Sequence, residues 1–156
     1  MPKKTKEPTK PKEEKTSFYQ AVGRRKESTA RVRLVLTEEL VLHSKSYKKG
    51  DVVINSRSAD HYFPGKIFKE MYLLPFKLTG TQDRFITTAV ISGGGLSGQL
   101  GALTQGIARS LEKIDKEKYR PLLKKQGLLT RDPRTKERRK AGFAQKARAK
   151  KQSPKR

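Results

Sequence analysis

The sequence predicts an α+β body flanked by two polar arms, and three observations point that way. Alternating apolar and polar residues early in the chain mark strands, and six apolar residues at helical spacing later mark a long helix. The third observation is where the hydrophobic residues fall. Of 156 residues, 33% are hydrophobic, with one in residues 1–16, five in 131–156 and 45 in 17–130. The chain therefore divides into a 1–16 extension, a 17–130 body and a 131–156 tail.

Charge follows the same boundaries. With 38 Lys and Arg against 15 Asp and Glu the net charge is +23, of which +3, +10 and +10 belong to the three segments in order. A tail so densely cationic cannot collapse on itself, because its apolar burial is too small to offset backbone entropy and mutual repulsion. It is expected to take shape only against a polyanion. Residues 1–16 read as a solvated, disordered extension, whose Lys and Pro content also suits an arm that touches RNA.

In the body, Ser17 to Leu36 is mostly of period two, the mark of strands, with Phe18 to Gly23 as the earlier run. Ala30, Val32, Leu34 and Leu36 share one side, while Thr29, Arg31, Arg33 and Val35 share the other. Gly23-Arg24-Arg25-Lys26-Glu27 between that earlier run and this strand reads as a hairpin connection that projects three cations. A solvated loop tip would explain those cations in a neutral protein. Here Arg31 and Arg33 carry the basic surface onto the sheet face, which favours nucleic-acid contact.

Leu40 to Leu42 is a short strand or loop, and Asp51 to Asn55 is a further strand. Ala59 to Phe63 and Lys66 to Leu74 are short helices separated by Pro64-Gly65. Ile67, Met71 and Leu74 lie on one face of the second, and Pro75 is expected to stop it. Arg84 to Ser92 is β-branched and apolar on both faces, as a central strand would be.

Gly93-Gly94-Gly95-Leu96-Ser97-Gly98-Gln99 then leads into the long helix. Its apolar stripe is Leu96, Leu100, Leu103, Ile107, Leu111 and Ile114. Gly98, Gly101 and Gly106 each cost about 1 kcal/mol against Ala inside a helix, so another backbone should approach them closely. A glycine run before a helix N-terminus can bind an anion through unpaired N–H groups and the helix dipole. It can equally be a tight turn without a ligand. A last short helix, with Pro121 near its start and Gly127 past its end, precedes Leu128-Leu129, which dock the chain. Pro133 then favours an extended exit for the tail.

Several chemistries drop out. With no Cys there is no disulfide framework, thiolate nucleophile or Cys-held zinc, and the two His, His43 and His61, cannot form a His-rich metal site without help from carboxylates. No apolar run approaches the ~20 residues of a membrane span, so no membrane partner is expected. The first fifteen residues, MPKKTKEPTKPKEEK, suit neither a secretory signal nor a mitochondrial presequence. No catalytic triad can be assembled, no cofactor is implied, and an enzyme is not expected.

Taken together, these stretches resemble the ninth-protein family of the small ribosomal subunit, in its bacterial type. The resemblance is carried by Tyr19-Gln20-Ala21-Val22-Gly23-Arg24-Arg25-Lys26 with Ala30-Arg31-Val32, by Gly93 to Gln99, and by Gly106-Ile107-Ala108-Arg109. It continues through Arg120 to Lys124, Gly127 to Arg134, Lys136-Glu137-Arg138 and the terminal Lys155-Arg156. It implies a two-layer α/β sandwich with a mostly antiparallel four-stranded sheet, lodged in the subunit head on ribosomal RNA beside neighbouring ribosomal proteins. Localisation would be cytoplasmic or, alternatively, organellar.

The tail tip would reach the anticodon stem-loop of peptidyl-site transfer RNA through Lys155 and Arg156. The implied ribosomal-RNA contacts are Arg24, Arg25, Lys26, Arg31, Arg33, Gly93, Gly94, Gly95, Ser97, Gln99 and Arg109 on the body. On the tail they are Arg131, Arg134, Lys136, Arg138, Arg139, Lys140, Lys146 and Arg148. Gln152-Ser153-Pro154 departs from the family's aromatic-Ser pattern before the terminal pair, which alters the backbone of the tip without altering its charge.

Elementary physics supports such contacts independently. Arg and Lys neutralise phosphates and release counterions, so affinity should fall about 10³- to 10⁵-fold between ~50 and ~200 mM salt for ~6–10 contacts. Bidentate gripping favours Arg24, Arg25, Arg131, Arg134, Arg138 and Arg139 as anchors. Small residues (Ala141, Gly142, Ala144, Ala147, Ala149) would let the tail thread between RNA helices, and Phe143 would either stack on a base or cap the body. Two rivals stand beside this reading: a free-standing RNA chaperone, and a small-molecule kinase using the Gly93–Gln99 loop with Asp83 or Asp115 as the carboxylate.

Overall fold

The computed structural model describes residues 18–42, 45–143 and 147–148. The expected 1–16 extension, His43 and the last eight residues lie outside them. Strands β1 (Phe18–Arg25) and β2 (Ser28–Val35) form an antiparallel hairpin in which Arg24 pairs with Thr29 and Arg25 with Ser28. The connection is thus shorter than the Gly23–Glu27 loop expected: only Lys26 and Glu27 turn, because continued pairing satisfies backbone groups that a longer loop would leave to water.

A separate hairpin follows, made of β3 (Glu39–Leu42) and β4 (Lys45–Lys48). The chain rejoins the main sheet as β5 (Val52–Ile54) and β6 (Arg57–Ser58), then passes through α1 (Ala59–Tyr62), α2 (Lys66–Thr79) and β7 (Ile86–Ser92). It continues in α3 (Leu96–Ile114), α4 (Lys116–Lys125) and an arm whose described residues form neither helix nor strand. The sheet order is β1-β2-β7-β5-β6, with only β5 and β7 parallel.

Five strands stand where the resemblance implied four. The fifth exists because Asn55 (φ 47°) and Ser56 (φ 64°) make a two-residue turn with both φ positive, which folds Arg57 back onto Ile54. The Asn55 amide also exchanges two 3.0 Å hydrogen bonds with the Ile91 backbone, extending the ladder to β7.

β7 is central, as expected, with Ile86, Thr87, Ala89 and Ile91 buried, although Val90 is half exposed. Ala30, Val32 and Leu34 point into the core and Arg31 and Arg33 point out. Leu36, expected beside the first three, lies past the end of β2 and is half exposed.

α2 departs most from expectation. It runs through Pro75 to Thr79, and its buried face is Tyr72, Pro75, Phe76 and Thr79 rather than Ile67, Met71 and Leu74, which face solvent. Both sets are helically spaced. The larger aromatic set buries more area, and the Tyr72 hydroxyl finds a partner in Asp60 Oδ1 at 2.7 Å. Pro75 cannot donate to the Met71 carbonyl four residues back, and the Thr104 hydroxyl lies 3.4 Å from that oxygen instead. The helix ends where Gly80 takes a left-handed conformation and Thr81 N–H reaches the Phe76 carbonyl.

In α3, Leu100, Leu103, Ile107 and Leu111 are buried as the stripe requires, Ile114 is partly buried, and Leu96 is half exposed at the first turn. The helix packs chiefly on β1 and β2. The backbone approach expected at its glycines is present at Gly98, near the Arg25 carbonyl, and at Gly106, near the Gly23 N–H, whereas Gly101 faces the Arg25 side chain instead; a Cβ on Gly106 would also meet the Val32 side chain, and one on Gly23 would collide with the Ala102 and Gly106 backbone. α4 begins earlier than expected, at Lys116, because Asp115 Oδ1 accepts from the Lys118 N–H at 3.0 Å; Pro121 falls in its second turn. Leu128 and Leu129 pack on the core, as expected.

Candidate nucleic-acid interface

Several of the sequence-selected residues converge at one end of the body. The hairpin turn sits on the glycine loop so tightly that a Cβ on Gly93 would strike the Glu27 carbonyl and one on Gly94 the Ser28 hydroxyl. Both glycines have positive φ, 75° and 61°, so no other residue suits the path. The Ser28 hydroxyl donates to the Gly93 carbonyl at 3.0 Å, and the Gln99 amide donates to the same oxygen at 3.1 Å. Tyr62 in turn donates to Gln99 Oε1 at 3.0 Å. Gln99 is thereby a brace for the loop. Ser97 lies in the first turn of α3, where no side chain caps the helix and the dipole is positive.

The arm joins the same end. Asp132 accepts from Arg25 at 2.9 Å and from Arg134 at 2.7 Å, and its Oδ1 also receives the Arg134 backbone N–H at 3.0 Å, closing a side-chain turn around Pro133. Hydrogen bonds from the Arg134 side chain, then from its backbone, hold the Asp132 carboxyl well below the usual carboxylate range, with Arg25 adding to the effect. Two expected anchors, Arg25 and Arg134, are therefore occupied by one carboxylate that the sequence reading passed over. The Asp-Pro-Arg turn signal was its visible trace. Gln105 was also missed: it is buried, accepts from the Arg24 N–H at 2.9 Å, and lies 3.4 Å from the Leu129 carbonyl.

Lys26, Arg24 and Arg131 are exposed around this junction, and Lys136, Arg138, Arg139 and Lys140 are exposed along the extended arm. Arg148 pairs with Glu137 at 2.5 Å, which lowers the Glu137 pKa. Phe143 is half exposed. Lys146, Lys155 and Arg156 lie outside the described residues.

Arg31 and Arg33 do not join the cluster, because they occupy the sheet face opposite α3. Arg33 lies 4.9 Å from the Phe18 ring centroid and donates to Gln20 at 2.8 Å. Arg109 is also apart: it donates to the Val22 carbonyl at 3.1 Å, while Lys113 donates to Gln20 O at 2.7 Å. Those cations cover the free edge of β1, which would otherwise offer unpaired carbonyls to another strand.

As for the kinase alternative, the glycine loop is filled by the hairpin turn and Asp115 is the cap of α4. Among the described residues no group of three His, Asp or Glu side chains could hold a metal ion, and no helix is long and apolar enough to cross a membrane.

Residues 23–156 match the family described as ribosomal protein S9/S16. The small ribosomal subunit protein uS9 of Cutibacterium acnes is 45% identical over 123 residues, 79% of this chain and 65% of that protein. Proteins of the same name from Leifsonia xyli and Pseudarthrobacter chlorophenolicus are each 47% identical over 123 residues, 79% of this chain and 67% of theirs. The chain spans about two thirds of the length of these curated relatives. Since the family match takes in the hairpin turn, the glycine loop and the whole arm together, the chain belongs to the ribosomal protein S9/S16 family.

Proposed function

We propose that this chain is a non-catalytic structural constituent of the small ribosomal subunit in a bacterial cytoplasm. It binds ribosomal RNA in the subunit head, beside neighbouring ribosomal proteins. The observation that carries this reading is the family match across body and arm, residues 23–156. In this reading the body is a two-layer sandwich, with α3 on one sheet face and Arg31 and Arg33 offering the other to RNA.

At the converging end, phosphates are held by Lys26, Arg24 and the first-turn N–H groups of Leu96 and Ser97. Along the arm they are held by Arg131, Lys136, Arg138, Arg139 and Lys140. Arg25 and Arg134 serve by fixing the angle at which the arm leaves the body. The tail tip, Lys155 and Arg156, reaches peptidyl-site transfer RNA.

Sedimentation in high salt tests the assembly role: the protein should travel with small subunits, whereas a free-standing RNA chaperone would wash off. Deleting Lys155 and Arg156 should leave assembly intact and speed transfer-RNA release from the peptidyl site several-fold. An unchanged off-rate at low and moderate salt would refute the tip contact.

A further inference from the structure

The outward stripe of α2 borders a cleft of about 180 Å³. Met71 and Leu74 line one side, Gly101 and Thr104 of α3 another, and Leu128, Thr130 and Asp132 at the arm root a third, with Arg24 and Arg25 at the hairpin end. It is smaller than the roughly 300–1,000 Å³ of a drug-sized site. It is of the size of a single planar ring system.

The Arg25 side chain is built into this cleft. A Cβ on Gly101 would collide with Arg25 Cδ, so the bare glycine lets the stem lie across α3. At the far end Asp132 holds the guanidinium at 2.9 Å. An arginine fixed at both ends, a third exposed, presents a guanidinium plane of the kind on which unstacked RNA bases pack. The exposed Arg24 lines the cleft, and the exposed Arg131 stands in the chain between the lining residues Thr130 and Asp132, so both bring charge for the adjoining phosphates. The polar groups of Thr104 and Gln105 are already engaged with backbone partners, so the floor of the cleft offers neither of them to a base edge.

We propose that this cleft takes one unpaired RNA base, packed between the Arg25 guanidinium and the apolar floor of Met71 and Leu74, with little preference for base identity. The cationic rim favours a nucleotide over a protein partner here. The proposal rests on the RNA-binding reading and goes beyond it, since phosphate contacts alone would not need the cleft.

The test compares the full chain binding an eight-nucleotide oligo(A) with binding the same strand lacking bases, by fluorescence anisotropy at low salt. The base-bearing strand should bind about 10-fold more tightly. Met71→Ser with Leu74→Ser, both at exposed positions, should bring the two affinities within twofold while leaving the abasic strand unchanged. Gly101→Ala should act in the same direction by displacing Arg25, and Met71→Leu should keep the preference. Equal binding of the two strands by the unaltered chain would overturn the base site while leaving RNA binding intact, and would turn the face over to a protein neighbour. A preference that survives the double substitution would also overturn it. If neither strand binds at low salt, the RNA-binding reading itself fails.

Discussion

The seam between β1 and α3 and the arm from Arg131 onward are both contacts made by a cationic stretch, yet they are held by opposite means. At the seam, Gly23 and Gly106 remove side chains so that strand and helix backbones meet over Val32, Leu103 and Ile107, all buried. The described residues of the arm have almost no buried surface, and they join the body through one carboxylate bridging Arg25 and Arg134. Close packing is indifferent to salt, whereas exposed ion pairs are screened by it. The difference predicts that the body carries its own stability, and that the geometry of the arm is a polar matter that a polyanion would reset.

The sharpest way to break this comparison is to remove residues 131–156. RNA affinity should fall on the order of 10³-fold at ~100 mM salt, with a shallower salt slope, if the arm supplies about half of the phosphate contacts. The urea midpoint of the body should not move. A midpoint that fell together with affinity would mean that the arm belongs to the core.

Substitution at the seam should do the reverse. Gly106→Val puts a branched side chain where a Cβ already meets Val32 at 2.6 Å, and should cost about 3 kcal/mol in urea unfolding. Gly142→Ala in the arm, with φ 81° but open space around it, should cost no more than about 1 kcal/mol. Equal costs would erase the distinction between the two regions.

The smallest effect sharpens the comparison at the junction. Asp132→Asn should raise tryptic cleavage at Arg131 and Arg134 several-fold without moving the urea midpoint. The pH dependence has a definite sign. Because Arg134 and Arg25 depress the carboxyl pKa in the folded chain, the contact is fully present above the ordinary Asp value of about 3.9. It is lost only as pH falls below that value, through the depressed one. Arg25 side-chain NMR signals should therefore stay constant from pH 7 to about 4 and shift only in stronger acid.

Much of this was legible in the chain itself, but unevenly. The α3 stripe and the β1–β2 alternation followed from spacing, because a residue's face in a helix or strand is set by its own neighbours. α2 shows where such reasoning stops: Ile67, Met71 and Leu74 are as well spaced as Tyr72, Phe76 and Thr79, and only packing against α3 chose the second set. The candidate interface was legible as charge and not as geometry. Arg24, Arg25 and Lys26 were visible as a cationic turn, whereas the pairing of Arg25 with Asp132 joins residues far apart in the chain. The 1–16 extension and the Lys155-Arg156 tip belong to residues the structure does not describe.

Left to itself, the sequence determined the type of most elements and the family, and it set the expectation of a body with polar arms and a polyanionic partner. These are set by composition, periodicity and motif order, which are local or additive along the chain. Tertiary structure alone decided the fifth strand, the outward turn of the α2 stripe and the carboxylate that seats the arm. Each is a choice between locally equivalent alternatives, settled by which surfaces meet once distant segments pack.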